Sequence, residues 1–183
     1  MEAEGTYRPP QEVVSGSRGE ERDVLDAGLP GELLGARLIA KLATLNRDGS
    51  VHVVPMWFLW VAGAVHMPTS ATTRKARNLE RDPRSTIMID DSRGAFDLRG
   101  ITLTGQADFL RGPDALSVNR RIHLKYLTQR GRELEAVDRY LATDDVTIRF
   151  TPERVSSWNL RDTEQGRALA ETGEFHPLDA GLG

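Results

Sequence analysis

Between residues 68 and 79 the sequence passes from Pro-Thr-Ser-Ala-Thr-Thr to Arg-Lys-Ala-Arg-Asn-Leu, a hydroxyl-rich loop that runs straight into a basic helix start. Thr69, Ser70, Thr72 and Thr73 supply hydroxyl donors and Lys75 a full positive charge. The first helical turn adds backbone N–H groups without intrahelical partners. Together these are the parts of an anion site, phosphate being the natural occupant. The same residues also fit a plain helix cap, with Thr72 or Thr73 as N-cap and Arg74, Lys75 and Arg77 as a solvated face.

What lies next to the loop separates the two readings. Residues 51–61, Val-His-Val-Val-Pro-Met-Trp-Phe-Leu-Trp-Val, are almost wholly apolar and carry three aromatic rings. An apolar, aromatic-bearing strand beside an anion pocket suits a ligand of flavin type, whose flat ring needs an apolar slot and whose phosphate needs donors. Other chemistry finds little support. With no cysteine there is no thiolate ligand or nucleophile. The chain has no G-x-S-x-G, no P-loop, no G-x-G-x-x-G and no H-E-x-x-H. His52, His66, His123 and His176 are scattered over different elements, so no metal site is expected. No residue is marked as a catalytic acid or base, although His52 and His66 merit substitution.

The elements that must position the loop follow from periodicity. Residues 37–45 form a strand that ends at the turn Asn46-Arg47-Asp48-Gly49, and residues 51–61 return as its antiparallel partner. Because 53–61 is apolar on both faces, a second cover is expected: a partner subunit, a flat ligand or the chain's own helices. Pro55 argues for an edge or bulge. After a Gly63 turn come a short strand at 64–67 and the basic helix 72–81, stopped by Asp82-Pro83. Strands at 85–90, 101–110 and 146–150 follow, with helices at 113–127 and at 133–141, the latter turning Leu134, Val137 and Leu141 inward. Residues 24–34 suit a short helix or two, broken at Gly28-Leu29-Pro30-Gly31. Six mostly antiparallel strands with peripheral helices predict a mainly β fold, a small barrel.

Apolar residues concentrate in the middle of the chain, which predicts a flexible arm at 1–31, one domain at 32–159 and a polar tail at 160–183. A formal net charge of −3 argues against a nucleic-acid partner. The start of the chain lacks signal-peptide character and the run at 51 is too short to span a bilayer, so a cytoplasmic protein without a membrane partner is expected.

Three stretches carry a family resemblance: 42–50 (Leu-Ala-Thr-Leu-Asn-Arg-Asp-Gly-Ser), 53–58 (Val-Val-Pro-Met-Trp-Phe) and 72–84 (Thr-Thr-Arg-Lys-Ala-Arg-Asn-Leu-Glu-Arg-Asp-Pro-Arg). They resemble the pyridoxamine 5'-phosphate oxidase-like split β-barrel superfamily, and within it the flavin- and deazaflavin-dependent oxidoreductases, over residues 32–158. The resemblance implies a six-stranded antiparallel split barrel that forms a homodimer with cofactor sites at the subunit interface. It implies F-420 or FMN as cofactor, a hydride passed to or from a small organic substrate, and, as the alternative, a non-catalytic flavin, deazaflavin or haem binder of the same fold. By position, Thr73, Lys75 and Asn78 match the family's phosphate contacts, with Thr69 and Ser70 nearby. Val54, Pro55, Met56 and Trp57 match the strand along the ring system, and Trp158 an aromatic position near the site. Arg74, Arg77 and Arg81 suit further negative charge such as the oligoglutamyl tail of F-420. The chain lacks the family's Arg-rich terminal motif, ending in Leu178-Asp179-Ala180-Gly181-Leu182-Gly183, so vitamin B6 oxidation is not expected.

Overall fold

The computed structural model describes residues 11–13 and 25–174. Eight antiparallel strands form one curled sheet: β1 (Gln11–Val13), β2 (Ala40–Leu45), β3 (Val51–Met56), β4 (Leu59–Val61), β5 (Ala64–Thr69), β6 (Arg84–Ser92), β7 (Leu98–Arg111) and β8 (Val146–Asn159). Around it pack the helices α1 (Gly28–Gly35), α2 (Arg74–Arg81), α3 (Gly112–Tyr126), α4 (Gln129–Arg132), α5 (Glu135–Leu141) and α6 (Glu164–Thr172). Across the sheet the order is β3-β2-β6-β7-β8-β5-β4, with β1 beside β8. This is the mainly β barrel that the strand pattern predicts, of the split-barrel type that the family resemblance implies.

Two strands exceed the six expected, each for a physical reason. The run 51–61 divides because it changes partner: β3 pairs with β2 as far as Met56 opposite Ala40, and β4 pairs with β5 from Leu59 opposite His66. Between them Phe58 turns fully into the core. The other addition, β1, lies in the predicted arm and pairs with β8 at Val155–Ser157. At the far end, the predicted tail carries α6. Thr163 caps it by accepting from Gly166 N at 3.1 Å, Leu160 N donates to Leu98 O at 2.8 Å, and Arg161 pairs with Asp91 and Asp97. The folded body therefore extends past both ends of the 32–159 range. Readings that fall on residues 1–10, 14–24 and 175–183, His176 among them, lie outside the described residues.

Two helical expectations shift. The break predicted at Gly28-Leu29-Pro30-Gly31 falls at Ala27, between the helical residues 25–26 and α1, and Pro30 is accepted in the first turn of α1, where its missing N–H has no partner to lose. The helix predicted at 133–141 begins two residues later, as α5, and the separate turn α4 precedes it. Leu134 falls at the N-cap between them and is 56% exposed, not inward, whereas Leu141 is buried.

The core is built by the alternation of the long strands. Ile101, Leu103 and Ala107 of β7 are buried, between the half-buried or exposed Thr102, Thr104, Gln106 and Asp108. They meet Ile87 and Ile89 of β6, Ile148 and Phe150 of β8 and Leu42 of β2, and Leu33 and Leu34 of α1 join the same cluster. A β-bulge between Thr104 and Gly105 bends the β7–β8 ribbon, and a Cβ at Gly105 would lie 2.1 Å from Thr151 O. Opposite the core, β3 is bare: Val51 is 62% and Val53 58% exposed. Among the described residues nothing covers the outer face of this strand.

β3 and the β4–β5 hairpin stand at opposite ends of the strand order, and the curl of the sheet brings them together around residues 55–69. Among the described residues no helix is long and apolar enough to cross a membrane.

Candidate functional site

The loop between β5 and α2 is held by its own hydroxyls. Thr73 Oγ1 donates to Ser70 O at 2.9 Å, lies 3.2 Å from Thr69 Oγ1, and accepts from Ala76 N at 3.4 Å as the N-cap of α2. Ser70 Oγ and Thr72 Oγ1 share a bond of 3.0 Å, and Ala71 N donates to Asp145 Oδ1 at 2.8 Å. The capping reading of Thr73 is thus realised, and its hydroxyl is saturated. The head of the helix still leaves over the N–H groups of Arg74 and Lys75, since Ala76 N goes to the cap and Arg77 N to Thr73 O.

This loop forms one wall of a cleft of about 430 Å³, within the range of small-molecule sites. Pro68, Thr69, Ser70, Thr73 and Lys75 line that wall, Pro55, Met56 and Trp57 the second, and Tyr140, Leu141, Thr143 and Asp144 the third. Lys75 is half-buried. Removal from water pulls its pKa below the ordinary lysine value, and Asp144 opposes that shift by attracting the ammonium.

Trp57 is fixed from behind. Its ring stacks on Tyr126 at 5.1 Å between centroids and 4° between planes, and meets His123 edge-on at 6.3 Å. The Tyr126 hydroxyl donates to Leu38 O at 2.6 Å and accepts from Phe58 N at 3.2 Å, which ties α3 to the peptide after Trp57. His123 Nε2 lies 3.0 Å from Asp144 Oδ2. Asn119 of the same helix face donates to Asp144 O at 3.0 Å and Val146 O at 3.2 Å. A buried polar ladder on α3 thus sets the position of the acid that faces Lys75.

Of the residues singled out from sequence, Pro55, Met56, Trp57, Thr69, Ser70, Thr73 and Lys75 converge on the cleft. Val54, Arg74, Asn78 and Trp158 do not line it. Val54 packs against the core. Asn78 is buried and spends its amide on Thr44 Oγ1 at 3.1 Å and Asn46 Oδ1 at 3.0 Å, while its carbonyl accepts from Arg81 at 3.3 Å. It ties α2 to the β2–β3 hairpin instead of facing a ligand. Trp158 lies across Gly100, where a Cβ would come within 2.2 Å of the indole. Arg81 is exposed like Arg74 and Arg77, but its guanidinium is spent on Leu45 O and Asn78 Oδ1. His52 and His66 stand away from the cleft lining, and no cluster of three potential metal ligands occurs among the described residues.

Sequence reasoning missed Asp144, Tyr140 and the α3 face behind Trp57. The signal available was the spacing of Asn119, His123 and Tyr126, which sets three polar side chains on one stripe of a helix otherwise read for its apolar residues.

The family model for pyridoxamine 5'-phosphate oxidase matches residues 32–159. Among solved structures, protein Rv2991 from Mycobacterium tuberculosis is 28% identical, with a TM-score of 0.59 over 81% of this chain and 88% of that one. An F420 reductase is 23% identical, with a TM-score of 0.54 over 68% and 94% of the two chains. HutZ, the heme storage protein from Vibrio cholerae, is 21% identical, with a TM-score of 0.56 over 71% and 94%. No curated protein matches the chain. The matched model spans the strands that build the cleft and most of the chain, and the protein belongs to the pyridoxamine 5'-phosphate oxidase family of split β-barrels.

Proposed function

We propose that the cleft binds a phosphate-bearing cofactor of flavin type, coenzyme F-420 or FMN, and that the protein is an oxidoreductase passing a hydride to or from a small organic substrate. The observation that carries this reading is the convergence of Lys75, the head of α2 and the Trp57 wall on one cleft. The donor set fits a phosphate: a half-buried ammonium and two backbone N–H groups at a helix start. The opposite wall, Pro55 to Trp57, fits a flat ring. When bound, the cofactor supplies the redox chemistry. The chain's own residues bind and orient it. Lys75 neutralises phosphate charge, Tyr126 and His123 keep the Trp57 ring in place, and the apolar wall excludes water. Asp144 attracts the Lys75 ammonium and opposes the effect of its burial.

F-420 is the preferred cofactor, because Arg74 and Arg77 lie exposed beside the anion site and suit a polyanionic tail. A second copy of the chain, packed on the bare face of β3, β2 and β6 around Val51, Val53 and Met88, makes the working form a homodimer. The test is anaerobic spectrophotometry with reduced F-420 and reduced FMN against a panel of electron-poor acceptors. Protein-dependent, acceptor-dependent oxidation of reduced F-420 is expected. Tight cofactor binding with no turnover on any acceptor would make this a binding protein instead.

A further inference from the structure

At the other end of the segment that carries Trp57 lies a second chamber, of about 410 Å³, that shares no lining residue with the cleft. Leu34, Leu59 and Trp60 form its apolar walls, and Asp26 and Lys125 are its charged residues. Lys125 is the anomaly. Its Nζ is buried and has no hydrogen-bond partner. It rests 4.0 Å from the centroid of the fully buried Phe58 ring and 5.6 Å from that of Tyr126. Ring faces offset part of the desolvation of an ammonium, but they supply no hydrogen-bond acceptor of the usual strength. Asp26 does not pair with it: that carboxylate accepts from Trp60 Nε1 at 2.6 Å, and the Lys125 ammonium stays without a partner. Arg37 adds a second positive charge to the neighbourhood. The chamber is therefore largely apolar and of ligand size, with one carboxylate, Asp26, in its wall and one unpartnered ammonium, that of Lys125, buried behind it.

We infer that this chamber is a second small-molecule site, taking a compact organic carboxylate whose aromatic or aliphatic body lies against Trp60 and Leu34 and whose charge is met by Lys125. The four-carbon stem of lysine carries its ammonium on rotatable bonds, so the amine can turn from the Phe58 ring towards an arriving carboxylate. An orphaned donor then gains a charge-assisted bond, and the indole of Trp60 reports the event.

The test is a titration of the full chain with benzoate and, separately, hexanoate, followed by tryptophan fluorescence and by thermal shift at pH 7. Benzamide serves as the uncharged comparison. Saturable binding of a carboxylate is expected, weakened about tenfold or more in Lys125→Met and for benzamide. It should be unchanged in Lys75→Ala, which alters only the cleft. Lys125→Met removes a buried charge while keeping the stem, so the variant folds. Three results would overturn the inference: no saturable signal from either carboxylate, equal affinity in Lys125→Met, or a loss in Lys75→Ala that moves the binding to the cleft. The second of these would leave Lys125 with its aromatic rings as its only partners.

Discussion

Lys75 and Asn78 sit three residues apart on α2 and show how local geometry divides labour. Lys75 looks into the cleft across from Asp144, whereas Asn78, one turn on, is drawn beneath the helix by Thr44 and Asn46. Asn78 thus shapes the site by fixing α2 against the β2–β3 hairpin. A different burden falls on His66, buried on β5 with Nδ1 unpartnered. Burial, aided by Arg149 and Arg121, pulls its pKa below 6.5. As pH falls below that value, the unfolded chain takes up a proton that the folded chain resists, so stability falls with acidification. His66→Leu removes this term. Urea midpoints at pH 7 and pH 5 should show the variant gaining on the parent protein at the lower pH, and parallel losses in the two proteins would contradict the assignment.

At the scale of elements, the β7–β8 ribbon depends on close backbone approach. A methyl group at Gly105 would meet Thr151 O at 2.1 Å and Pro152 Cα at 2.9 Å, both backbone atoms that no rotamer change can move. Gly105→Ala is expected to cost about 2 kcal/mol or more by chemical denaturation. A loss below about 0.5 kcal/mol would show that the bulge relaxes freely.

The same scale explains what the sequence made legible. Strand alternation at 101–108 and the contiguous loop 69–75 depend on near neighbours and were readable directly. The division of 51–61 was not, because it depends on Met56 meeting β2 while Leu59 meets β5, a choice of partners that periodicity does not encode. Asp144 and Tyr140 likewise reach the cleft only through the packing of α3 and α5 on the sheet. The expectation that a second cover lies over 51–61 came from the same apolar run. It stands as a proposal about a partner, since Val51 and Val53 are bare in one chain.

For the whole molecule, the outer face of β3 decides the assembly. If a second copy covers Val51 and Val53, Val53→Lys places an unpaired charge in that interface and should convert a dimer to a monomer by light scattering. A parent protein that is monomeric at the same concentration would remove the dimer from the account. Lys75→Ala should leave the assembly as it is, which keeps the two tests separate.

Recognition of a phosphate-bearing ring cofactor through Lys75 is read from a titration of the purified protein with F-420 and FMN in parallel. Tryptophan fluorescence serves as the signal, with Trp57 lining the cleft as the reporter. Saturable binding of F-420 in preference to FMN is expected, falling about 10- to 100-fold in Lys75→Ala, as the loss of a charge-assisted phosphate contact implies. Binding of neither cofactor, or equal affinity in Lys75→Ala, would contradict it.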